Sequence, residues 1–347
     1  MRVLSVVGAR PQFIKLGPFS RELRNYHQEI IIHTGQHYDA NMSGLFFEQL
    51  GIPEPDINLQ IGSGNHGKQT GRMLIALEEE FIRLKPDAVV VFGDTNSTLA
   101  GALASSKLHI PCVHIEAGLR SFNPIMPEEI NRIVADHISD LLLAPTHTAM
   151  HNLKREDLDN KSTLTGDIMV DSVQYLVKKA EHNSVYPEKL GLRSGNYYLL
   201  TLHRPSNVDD PQLLQNLIRQ LSELDYPVVF PVHPRTRKSL PDSVGEMHLI
   251  DPVGYLDILS LQRNARKIIT DSGGIQKEAY ILGTPCNTLR SETEWTETVE
   301  AGWNQLINPK SDELVTLIKT HNPVGKPPEV FGEKVAPKMV TALERIC

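Results

Sequence analysis

The stretch Lys267-Ile-Ile-Thr270-Asp271-Ser272-Gly273-Gly274-Ile-Gln276-Lys277-Glu278 passes from a short apolar run, through a glycine-paired turn, into a helical pattern. That is a strand feeding a helix N-terminus. The first turn of such a helix has unpaired N–H groups and a partial positive charge, which suit an anion such as a phosphate. Gly273 and Gly274 carry no side chain to keep a diphosphate from the backbone. Glu278 lies further along the helix, where a carboxylate can accept hydrogen bonds from a ribose. The plain alternative is a tight βα connection capped by Asp271 or Ser272, since a glycine-rich loop alone is a weak motif.

The same strand–turn–helix grammar recurs along the chain. Arg2 to Val7 is an apolar, β-rich run broken by Gly8-Ala9-Arg10-Pro11, and Pro11 suits a first helical turn. This opening is Rossmann-like but lacks GxGxxG, which argues against a dinucleotide fingerprint. Further strands are expected at 29–34, 88–92, 110–115, 141–144 and 162–165, then at 197–201, 228–231, 248–250 and 285–290. Helical patterns fall between them, including 41–50, 69–84 and 130–138. Residues 56–67 read as a polar, glycine-containing loop. Alternation of this kind predicts parallel sheets in an α/β protein with two Rossmann-like domains facing a cleft.

The 347 residues exceed one ordinary core and suit two domains. We expect an N-terminal domain over 1–167, joined by a C-terminal helix at about 333–347, and a second domain over 168–332. The polar segment 182–196 reads as a linker. Apolar residues make up 40% and charged residues 22%, so the chain should be ordered. No opening apolar run is long enough for a signal peptide or membrane span. Cys112, Cys286 and Cys347 form neither a disulfide framework nor a zinc pattern, so a cytoplasmic location is expected. A net charge of −7 without a basic tract argues against nucleic acid.

Polar residues cluster where strands end. In the first half these are Arg10 and Lys15, then Asp94, then Glu116, then Glu128 and Glu129 after Pro127. Ligands of open α/β sheets bind at the carboxyl ends of strands, so Arg10 and Lys15 suit a phosphate better than chance surface charge does. Asp94 alone reads as a helix cap, and Glu128 and Glu129 alone as dipole complements. Gathered together, carboxylates raise one another's pKa and become poised for proton transfer. The second half offers His203, Arg204, His233, Arg235 and the Ser272 turn. Together these read as a site that holds a phosphorylated ligand and moves a proton.

The ordered set Gly8-Ala-Arg10-Pro11 with Lys15, Gly93-Asp94-Thr95, His114-Ile-Glu116-Ala-Gly118-Leu-Arg120, Pro127-Glu128-Glu129-Ile-Asn131-Arg132, Thr201-Leu-His203-Arg204, His233-Pro234-Arg235 and Thr270 to Glu278 resembles the non-hydrolysing UDP-N-acetylglucosamine 2-epimerases, of glycosyltransferase-B-like fold. The resemblance spans Gly8 to about Leu306. It implies inversion at C2 of a UDP-linked N-acetylated hexosamine by elimination and re-addition of UDP, with no cofactor and no metal, in a homodimer. It also implies that Asp94, Glu116, Glu128 and His203 carry the chemistry. Arg10, Lys15, His233, Arg235, Ser272, Gly273, Gly274 and Glu278 would hold the UDP-sugar.

Two departures stand out. Thr293-Glu294-Trp295-Thr296-Glu297 stands where many members have Thr-Glu-Arg-Pro-Glu. With Gly8 to Phe13, this resembles the branch acting on UDP-2,3-diacetamido-2,3-dideoxyglucuronate. Gln36-His37-Tyr38-Asp39 departs from the Gln-His-x-Gln element through which many bacterial members respond to a second substrate molecule. A hydrolysing 2-epimerase, a retaining glycosyltransferase and a silent nucleotide-sugar sensor are the alternatives. The triple carboxylate set speaks against a transferase, and Asp94, Glu116 and His203 together speak against a sensor.

Overall fold

The computed structural model describes residues 1–36, 47–48, 51–241 and 243–346, with the side chains of Pro234 and Arg235 outside that description. Of the expected helix at 41–50 only residues 47–48 are described, and they are helical; the Gln36-His37-Tyr38-Asp39 element beyond Gln36 lies outside the described residues. The chain divides into two compact units. One comprises Met1–Ser172 with Glu329–Cys347, and the other Val173–Pro328.

The first unit holds a parallel sheet of β1 (Arg2–Val7), β2 (Gln28–His33), β3 (Ile57–Asn58), β4 (Ala88–Phe92), β5 (Cys112–Ile115), β6 (Leu141–Ala144) and β7 (Ser162–Leu164), in the order β3-β2-β1-β4-β5-β6-β7. All five residues of β4 are buried, as expected for a strand covered on both faces. The helix His66–Leu84 buries Gln69, Met73, Leu77 and Phe81, a strict four-residue stripe, and Met73, Leu77 and Phe81 join the core with Leu4, Val6 and Val89. The helix Asn96–Lys107 approaches the sheet closely through small residues. A Cβ at Gly101 would stand 2.8 Å from Val91 Cγ1. The C-terminal helix Val335–Leu343 belongs to this unit, where Ala336 N donates to Asp171 at 2.8 Å.

The second unit holds β8 (Tyr198–Thr201), β9 (Val228–Pro231), β10 (His248–Ile250), β11 (Lys267–Thr270), β12 (Cys286–Thr288) and β13 (Asn304–Leu306), in the order β10-β9-β8-β11-β12-β13, again parallel. The α/β, Rossmann-like reading therefore holds for both units. Strand order reverses between β1 and β4 in one sheet and between β8 and β11 in the other. Those are the switch points beside which ligands of such sheets bind.

Three local expectations are corrected. The polar loop at 56–67 contains β3, a two-residue edge strand paired with β2 and too short to leave an apolar run. The helix expected at 130–138 begins at Pro127, which occupies its first turn, so Glu128 and Glu129 are helical. The segment 182–196 is more structured than a linker. It carries a 3₁₀ turn at Glu188–Leu190, and Ser260 Oγ donates to Tyr186 O at 2.7 Å. Its Tyr186, Leu190 and Leu192 pack on the core of the second unit. Among the described residues no helix is long and apolar enough to cross a membrane. Cys112 and Cys286 are free and buried, and burial pushes both thiols up to about 12.

Candidate active site

In the first unit β1, β4 and β5 are neighbours, so the turns that follow them lie side by side. Gln12 ties the first two together. Its carbonyl accepts from Gly8 N at 2.7 Å and Ala9 N at 3.1 Å, and its amide donates to Phe92 O at 2.7 Å. Arg10 opens the helix Arg10–Leu23 and is partly exposed. One turn on, the Lys15 ammonium pairs with Glu116.

Glu116 is the most constrained of the expected site residues. It is 8% exposed and adopts φ +72, a left-handed conformation that costs a non-glycine residue on the order of 1–3 kcal/mol. Leu143 O holds it there, accepting from Glu116 N at 3.1 Å. Gly93 leaves it room. At φ +65, a Cβ on Gly93 would stand 3.2 Å from the Glu116 carboxylate and 3.4 Å from Lys15 Nζ. Asp94, the next residue, accepts from Arg132 Nη2 at 2.5 Å, while Asn131 Nδ2 donates to its carbonyl at 2.9 Å.

Glu128 and Glu129 have different fates. Glu129 is buried and accepts from Ser121 N and Phe122 N, both at 2.9 Å, and from Arg132 Nη1 at 2.9 Å. Burial opposes its charge, but these donors outweigh burial and hold the carboxyl below its usual value. Glu129 thus fastens the 121–126 loop to the helix, leaving Glu128 as the exposed carboxylate of the pair. The expected bare acidic cluster is corrected: Glu116, Asp94 and Glu129 each touch a cation, Lys15 for the first and Arg132 for the other two. Arg132 and Asn131 are site residues not expected from the sequence, although both stand in the Pro127 to Arg132 motif.

In the second unit the turns after β8 and β11 meet at Asp271. This fully buried carboxylate accepts from His203 Nδ1 at 2.8 Å, Arg204 N at 3.0 Å and Asn207 Nδ2 at 3.1 Å. Burial opposes its charge, but the His203 ring, the Arg204 amide and Asn207 together hold it below the usual carboxylate range. A carboxylate on Nδ1 fixes the ring and leaves Nε2 as its other edge, with the His203 side chain 60% exposed. In sequence Asp271 shows itself only as a cap, because its partners are about 65 residues away and no local pattern carries that pairing.

Ser272 caps the helix Gly273–Leu282, its Oγ accepting from Ile275 N at 3.5 Å. Gly274 is exposed and open. Gly273 faces the Glu294 carboxylate, which a Cβ would approach to 2.0 Å, and Glu294 pairs with Arg290 at 3.0 Å. Glu278 is buried and accepts from Tyr255 Oη at 2.8 Å and Gln262 Nε2 at 2.7 Å. His233 is exposed at the end of β9, and the Arg235 side chain lies outside the described residues. Trp295 is buried with the Lys277 ammonium 4.1 Å from its ring centroid. The departure at 295 therefore places an aromatic face under a buried cation.

The sequence pattern of the UDP-N-acetylglucosamine 2-epimerase family matches residues 21–341. The chain is 50% identical, over 94% of each chain, to a UDP-N-acetylglucosamine 2-epimerase homolog of Methanococcus maripaludis. It is 48% identical, over 92% of each, to UDP-2,3-diacetamido-2,3-dideoxy-D-glucuronate 2-epimerase of Pseudomonas aeruginosa. Among solved structures, the Methanocaldococcus jannaschii UDP-GlcNAc 2-epimerase in complex with UDP-GlcNAc and UDP superposes with a TM-score of 0.88 at 44% identity, covering 99% of this chain and 100% of that one. With strand order, strand-end residues and relatives in agreement, the chain belongs to the UDP-N-acetylglucosamine 2-epimerase family.

Proposed function

We propose that this chain inverts C2 of a UDP-linked 2-acetamido sugar by eliminating UDP and adding it back. The C2 proton has no adjacent carbonyl to acidify it, so a carboxylate base alone is a poor catalyst. Departure of UDP gives C1 oxocarbenium character, which makes that proton acidic. Its removal leaves an unsaturated 2-acetamido sugar. Protonation of the opposite face of C2 and return of UDP to C1 complete the inversion, with no net change in atoms or electrons.

The supporting observation is Glu116, a carboxylate held in a costly left-handed conformation against Lys15 and beside the Asp94 turn. A group held at such cost is suited to meeting a reacting atom. We assign Asp94, Glu116 and Glu128 to proton transfer at C2 and to offsetting the positive sugar. His203, steadied by Asp271, donates to the departing diphosphate. Arg10, Lys15, His233, Arg235 and the Ser272-Gly273-Gly274 helix start hold the UDP, and Glu278 reaches the ribose. Glu278 and its two partners must then be shared with the ligand.

For the sugar, we propose the 2,3-diacetamido glucuronate as the better substrate. Trp295, where many members carry arginine, supports this reading, as does the Pseudomonas relative. Side-by-side kcat/KM with this sugar and with UDP-N-acetylglucosamine tests it. A clear preference for UDP-N-acetylglucosamine would reverse the assignment. We further propose a cytoplasmic homodimer, in line with the resemblance. Ile75 and Ile82, 61% and 58% exposed on the helix His66–Leu84, offer an apolar face for a second copy. Light scattering should give twice 38.8 kDa, and the single-chain mass would refute it.

A further inference from the structure

Behind the turns that carry Asp94 and Glu116 lies a buried charge network. His114, fully buried on β5, directs Nδ1 at Asp136 Oδ1 over 2.7 Å and Nε2 at Gly93 O over 2.6 Å. Both partners are acceptors. A neutral imidazole has one N–H and can satisfy only one of them, whereas a ring with both protons satisfies both. The other oxygen of Asp136 accepts from Arg120 Nη1 at 2.7 Å and Gly118 N at 3.1 Å, and Arg120 grips Glu156 with two bonds of 2.7 and 2.8 Å. Lys161 Nζ donates to the Asp136 backbone carbonyl at 3.0 Å. The cationic ring also faces the fully buried Asp136 carboxylate directly, over 2.7 Å, so its charge has a paired counter-charge.

We propose that His114 is a positioning residue for the epimerisation: a doubly protonated ring that, with Asp136, locks the Gly93-Asp94 turn and the Glu116 turn in one register. The chain path supports this. Residues 114 and 118, on either side of Glu116, are both bound to Asp136, and the same ring binds the carbonyl just before Asp94. The left-handed Glu116 is thus clamped from both sides. The proposal rests on the assignment of Asp94 and Glu116 to the chemistry, but its first test does not.

Histidine-labelled ¹⁵N protein, free of ligand, should show one ring with both nitrogens protonated and slowly exchanging, and His114→Gln should remove that signal. In kinetics His114→Gln should lower kcat about 100-fold, the scale of a small misplacement of reacting groups, with KM within about threefold. Should that variant fail to fold, Asp136→Asn carries the test. Its ring should retain a single proton, and kcat should fall at least about tenfold at unchanged KM. A single-proton His114 in the native protein, or native kcat in either variant, would overturn the proposal. Failure of the Asp94 and Glu116 assignment would instead appear as full activity in variants of those residues, with the ring signal intact.

Discussion

Replacing Glu116 by glutamine is expected to lower the rate of C2 proton exchange about 1,000-fold, within the usual range for losing a positioned acid or base. The shape is nearly conserved, and Leu143 O can still accept from the backbone of residue 116. The variant should therefore fold; because Glu116 also pairs with Lys15, assigned above to the UDP, the readout is the exchange rate at saturating UDP-sugar rather than KM. The measurement is single-turnover solvent exchange in heavy water, with circular dichroism as the control for folding. A rate within tenfold of the native protein would remove Glu116 from the proton transfer. It would leave the Lys15 pair as a structural contact.

Asp271→Asn is expected to act on both activity and stability. The carboxylate gathers the His203 ring, the Arg204 amide and Asn207 at one buried point. An amide cannot accept from all of them. Activity should fall about 100-fold through a misoriented His203, and ¹⁵N shifts should show the ring losing its fixed Nδ1–H form. Stability should fall by about 2 kcal/mol, the scale of hydrogen bonds to a buried charge. The pH sign follows from the lowered carboxyl. A carboxylate whose pKa is depressed on folding contributes fully above its unfolded value of 3.8 and loses that contribution as pH falls through its folded value. The stability gap between native and variant should thus be constant near neutrality and close in acid below about pH 4. A gap independent of pH down to unfolding would show that Asp271 is not held charged by these donors.

Much of the fold was legible because the signals were local. Runs such as Ala88-Val-Val-Val-Phe92 and the four-residue stripe from Gln69 to Phe81 announce strand and helix without any partner. β3 escaped because two residues at a sheet edge have no pattern of their own. The helix Pro127–Ile138 starts ahead of its apolar pattern, because a proline following Ser121 to Met126 suits a loop as well as a first turn. The strand-end residues were legible as a set, since topology makes such positions functional. Their pairings were not. That Glu116 meets Lys15, that Asp94 meets Arg132, and that Asp271 meets His203 are facts of neighbouring strands far apart in sequence. Sequence pattern shows the carboxylates without their counter-charges, because the cations that pair with Glu116, Asp94 and Glu129 are Lys15 and Arg132, from other elements or another turn of the helix.

The most direct test of the account is to incubate the protein with its UDP-sugar in heavy water and read C2 of the product. The account predicts deuterium at C2 in both epimers, with every product molecule still joined to UDP. Free sugar released in step with turnover, or inversion with the original hydrogen retained at C2, would contradict it.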